Sequence, residues 1–151
     1  MNRRSRLVAL LTVLLAAAGA AWVFAAARPA PAATTAALEI RWHGNGIILQ
    51  GTVRDAATQR ALVDGAAARL GGEADQVVDW LDIVPTAPPI ADAASLASLI
   101  RIGQEGWHLQ RRATEGWLAV QSPGDAQSAQ ASELLRRTFG PGVAIRVVPL
   151  P

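Results

Sequence analysis

Few side chains in this chain could carry chemistry, and their spacing does not assemble a reaction centre. The two histidines, His43 and His108, lie far apart in the chain, and no His-x-x-x-His or His-Glu-x-x-His pattern brings ligands to one helix face. Each is read as a turn or surface histidine. Asp75, Asp79 and Asp82 cluster, but in an extended segment Asp79 and Asp82 fall on opposite faces, so they form no carboxylate pair. Ser95, Ser98, Ser122, Ser128 and Ser132 lack a Gly-x-Ser-x-Gly setting, and the pairs Gly44/Gly46 and Gly140/Gly142 precede no phosphate-binding helix. With no cysteine there is no disulfide, thiolate metal site or thiol nucleophile. No cofactor, metal or catalytic residue is expected. The chemistry that remains is that of contact: Trp107-His108-Leu109-Gln110-Arg111-Arg112 faces Trp117-Leu118-Ala119-Val120 across a hairpin. Indoles and guanidinium groups settle readily at lipid headgroups. Trp107, Arg111, Arg112 and Trp117 are the candidate contact residues. The competing reading places the tryptophans in the core and the arginines on a solvated face.

These residues must be positioned by a small exported part. All 14 basic residues are arginine, and Arg3, Arg4, Arg6 and Arg28 flank an uncharged run from Leu7 to Ala27. Such a run spans about 30 Å as a helix. It predicts a signal anchor over 1–27, with the arginine bias placing the C-terminal part outside. The expected arrangement is a single-pass membrane protein with an exported C-terminal domain; cleavage after Ala25-Ala26-Ala27 would instead release that domain. Pro29 and Pro31 make 28–37 a stalk. Residues 29–151 hold 10 arginines and 12 acids, a net charge of −2, which excludes a polybasic nucleic-acid footprint.

Beyond the stalk, 38–53 reads as a β-hairpin turning at His43-Gly44-Asn45-Gly46. Asp55 caps an amphipathic helix ending at Gly71-Gly72, and 76–84 alternates as a third strand. The same order recurs about 70 residues on: Gly46 maps to Gly116 and Asp55 to Asp125, with a hairpin over 109–121, a helix closing at Gly140-Pro141 and a strand through Val143, Ile145 and Val147. A further helix is expected over 90–102. The predicted fold class is α+β: a transmembrane helix followed by two small units, 38–85 and 90–151, each a three-stranded sheet packed on helix. In the first, Leu62, Ala66 and Leu70 should face Ile48, Leu81 and Ile83.

The string Gly46-Ile47-Ile48-Leu49-Gln50-Gly51-Thr52-Val53, followed by Asp55, an alanine-rich helix and a strand containing Leu81 and Ile83, resembles the BON domain, an α/β module of bacterial envelope proteins. The second unit resembles a divergent copy around Gly116 and Asp125, with Gln121 and Pro123 in place of Gly51 and Val53. The resemblance implies a non-enzymatic module tied to envelope integrity and osmotic stress, with phospholipid, other envelope proteins or peptidoglycan as partners; with the predicted anchor it implies a single-pass protein of the bacterial inner membrane with a periplasmic domain, or a periplasmic protein after cleavage. It leaves oligomeric state open. The competing classes are a structural spacer without a ligand and, last, an enzyme.

Overall fold

The computed structural model describes residues 37–151. In chain order the strands are β1 (Leu38–His43), β2 (Gly46–Val53), β3 (Val77–Ile83), β4 (His108–Arg111), β5 (Glu115–Val120) and β6 (Ala144–Pro149). The helices are α1 (Ala56–Arg69), α2 (Ala93–Ile102) and α3 (Ala126–Phe139).

The expectation of two separate three-stranded sheets is corrected. Among the described residues the strands form a single mixed six-stranded sheet in the order β3-β2-β1-β4-β5-β6. β1 and β4 pair antiparallel, Leu38 with Arg111 through Arg41 with His108, and this seam fuses the two halves. The physical reason is the inner row of β1. Leu38, Ile40 and Trp42 are buried, and a sheet ending at β1 would leave their backbone groups unpaired beside a dry core. β4 supplies the partners. The transmembrane helix and the single-pass inner-membrane location are corrected as well. Among the described residues no helix is long and apolar enough to cross a membrane, and the predicted span and all of the stalk but Ala37 lie outside those residues.

Each half contributes a hairpin, a helix and a strand parallel to the hairpin's second strand. Ile40 pairs with Leu49 in the first hairpin and Leu109 with Leu118 in the second, so corresponding strand positions are offset by 69 residues. An even offset of 70 would set inward residues on outward ones, because strand side chains alternate. Gly51 therefore corresponds to Val120, not Gln121.

The three helices begin alike. The carboxylates of Asp55, Asp92 and Asp125 accept from the backbone N–H of Thr58, Ser95 and Ser128, at 2.7, 3.0 and 2.7 Å. All three helices cover one face of the sheet, where Leu62, Leu96, Leu99 and Leu135 meet Ile40, Leu49, Leu109 and Leu118. α1 and α2 pack closely: a Cβ on Gly65 would come within 3.0 Å of Ala97. The register expected for the first half is corrected in two places. Ile47 and Leu49, not Ile48, point to the helices, and Ile83 is 47% exposed while Leu81 is buried.

Candidate functional site

Among the described residues, no element covers the second face of the sheet. The strand registers place two rows on it. One runs Trp80, Gln50, Glu39, Gln110, Trp117, Arg146 from β3 to β6; the other runs Val78, Ile48, Arg41, His108, Ala119, Val148. Trp80, at one edge, is 61% exposed. At the centre Glu39 accepts from Arg41 Nε at 2.5 Å and lies 2.7 Å from His108 Nε2. Burial alone would raise the Glu39 carboxyl, but the hydrogen bonds from Arg41 and His108 hold it below the usual carboxylate range. The charges in the middle of this face are thus largely matched to one another.

Strand alternation splits the four sequence-predicted contact residues into two pairs. Trp107 and Arg111 turn inward. Trp107 is 2% exposed, lies edge-to-face with Trp42 at 6.3 Å, and donates its indole N–H to Gln121 Oε1 at 2.8 Å. Arg111 is 3% exposed, with its guanidinium 4.6 Å from the centre of the Phe139 ring and Nη1 donating to the Pro89 carbonyl at 2.5 Å. Arg112 and Trp117 lie on the uncovered side, partly exposed, with the Arg112 guanidinium 4.4 Å over the indole. Only this second pair is placed for contact. Trp80 and Arg146 lie in the same row as Trp117 and were not among the candidates; the parity of β3 and β6 relative to Leu81 and Ile145 is the signal that would have found them.

The residues shared with the BON pattern play local roles. Leu49, Val53 and Leu81 are core. Gly51 has a φ of +119°, and a Cβ there would lie 2.5 Å from the Ala37 carbonyl oxygen, so glycine is required. A Cβ on Gly46 would meet the Gln76 carbonyl at 3.0 Å, and one on Gly116 would meet Ile145 at 3.1 Å. Asp55 and Asp125 are the helix caps described above.

His43 and His108, remote in sequence, line one shallow pocket of about 470 Å³ together with Arg41 and Glu105. Among the described residues, no cluster of three or more histidines and carboxylates could hold a metal ion. No protein-family model, curated protein or solved structure matches the chain.

Proposed function

We propose that the domain is a binding module acting without turnover, and that it contacts anionic phospholipid headgroups through Arg112 and Trp117 on the uncovered sheet face. The observation that carries this reading is the Arg112–Trp117 stack, a cation and an indole held together where no described element covers them. The pairing suits an interface that is apolar on one side and charged on the other. The resemblance of residues 38–84 to the BON domain points to the same class of partner. The second half is also the more basic. Residues 29–89 hold 4 arginines and 7 acids, a net of −3, against 6 arginines and 5 acids, a net of +1, in 90–151.

Sedimentation of residues 35–151 with anionic vesicles at low and high salt tests the proposal. The parent should pellet at low salt, and an Arg112→Ala/Trp117→Ala variant should lose much of that, since each arginine near the surface contributes up to about 1 kcal/mol. A parent that never pellets, or a variant that pellets equally well, would move an envelope protein or peptidoglycan ahead as partner.

A further inference from the structure

Arg111 is a buried cation whose described contacts include no anion. Its Nη1 is committed to the Pro89 carbonyl and its flat face to Phe139, while its Nε has no hydrogen-bond partner. Two residues earlier in the same loop, the Ala87 carbonyl accepts from Arg54 Nε at 2.6 Å. The β3–α2 connection thus draws two guanidinium groups together: Arg54 just beyond the end of β2 and Arg111 at the end of β4, on either side of β1. Burial and then the charge of Arg54 push the Arg111 guanidinium below its usual value.

The carboxylates near in sequence are engaged elsewhere. Asp55 and Asp92 cap α1 and α2, and Glu115 faces Arg146 at 3.9 Å. Among the described residues neither Arg54 nor Arg111 has an ion-pair partner within 4.0 Å. A buried charge left uncompensated is costly. An oxyanion relieves it with suitable geometry, because a guanidinium binds carboxylate or phosphate through two parallel N–H groups and the buried Nε of Arg111 has no protein partner.

We infer that Arg54 and Arg111, held by the Ala87 and Pro89 carbonyls, form an oxyanion-binding site for a phosphate or carboxylate group. Arg111 supplies the fixed, buried fork and Arg54 the exposed gate through which the anion enters. The site is separate from the Arg112–Trp117 stack and does not depend on the phospholipid reading.

The test is a titration of the full chain followed through the arginine Nε–Hε resonances, at constant ionic strength set with chloride. The probes are inorganic phosphate, acetate and glycerophosphate, a soluble phosphodiester-headgroup fragment being added as a fourth. Saturable shifts of the Arg54 and Arg111 signals are expected with at least one probe. Arg54→Gln, a change at an exposed side chain that leaves the core intact, should weaken that affinity by about tenfold. Arg101→Gln, on the exposed side of α2, should leave it unchanged. Preference for the phosphodiester identifies a lipid headgroup as the source, preference for inorganic phosphate a free phosphate, and preference for acetate a carboxylate. No saturable shift with any probe, or equal affinity in Arg54→Gln, overturns the site and leaves Arg111 a structural strap for the loop.

Discussion

Ile40 and Leu109 face each other across the β1–β4 seam and are also each other's counterpart in the internal repeat. The pseudo-two-fold axis of the sheet therefore passes between these two side chains, both fully buried. Because each half contributes one of them to a shared core, the halves should unfold together. Leu109→Ala should cost about 2 to 5 kcal/mol by lost burial and cavity formation. Urea unfolding read by tryptophan fluorescence and by far-UV circular dichroism should give one coincident transition, shifted to lower urea in the variant. Two separated transitions would show that the seam does not couple the halves.

Leu81 and Ile83 provide an internal control for the register of β3. They point to the same side of the strand, yet Leu81 is 7% exposed and Ile83 is 47% exposed. Leu81→Ala should destabilise by about 2 kcal/mol or more, and Ile83→Ala by about 0.5 kcal/mol. Thermal or urea midpoints of the two variants measured side by side decide it; equal losses would contradict the placement of Ile83 at the margin.

Gly103 closes α2 directly beneath Trp42, whose indole donates to the Ile100 carbonyl at 3.0 Å. A Cβ on Gly103 would come within 2.1 Å of Trp42 Nε1, so Gly103→Ala must displace the ring and break that hydrogen bond. The expected cost is about 1 to 3 kcal/mol or more, the scale of overpacking with a lost buried hydrogen bond. Altered Trp42 fluorescence should accompany the lower melting point.

Acid should weaken the fold through its helix starts. The hydrogen bonds to the Thr58 backbone and side chain hold Asp55 below its ordinary pKa, and those to the Ser95 side chain and backbone do the same for Asp92. A carboxyl lowered in the folded state contributes stability above its unfolded value, near 4, and loses it as pH falls through the lower folded value. Urea midpoints should hold from pH 7 to about 5 and decline below about 4. Asp55→Asn/Asp92→Asn, which keeps capping groups without the titration, should flatten that decline. An unchanged acid slope would assign it to other carboxylates.

The local elements were legible because their signals are local. The hairpin of 38–53 is marked by Gly44-Asn45-Gly46, the starts of α1 and α3 by Asp55 and Asp125, and the inner row of β6 by the alternation of Ile145 and Val147. The seam was not legible, since nothing in Leu38–Arg41 or His108–Arg111 states that these two segments pair. The same gap affected the candidate site. Trp107, Arg111, Arg112 and Trp117 look like one patch along the chain, but pairing and alternation send the first two into the core. Arg54 gave no signal, because its relation to Arg111 is made by a loop between them in sequence. Ile83 misled because alternation gives a side of a strand, whereas burial also requires a helix above that position.

The antiparallel seam also fixes how a half-length version of this domain would behave. Residues 37–89 alone would expose the β1 edge and the apolar side chains that meet α2 and β4, and could bury them only by finding a second molecule. Folding would become second order in concentration. Carrying both halves on one chain replaces that encounter with an intramolecular one, at an effective concentration on the order of millimolar. The connection from β3 to α2 thus frees the fold from dilution, and it frees each half to diverge, since a change in one need no longer be repeated in the other.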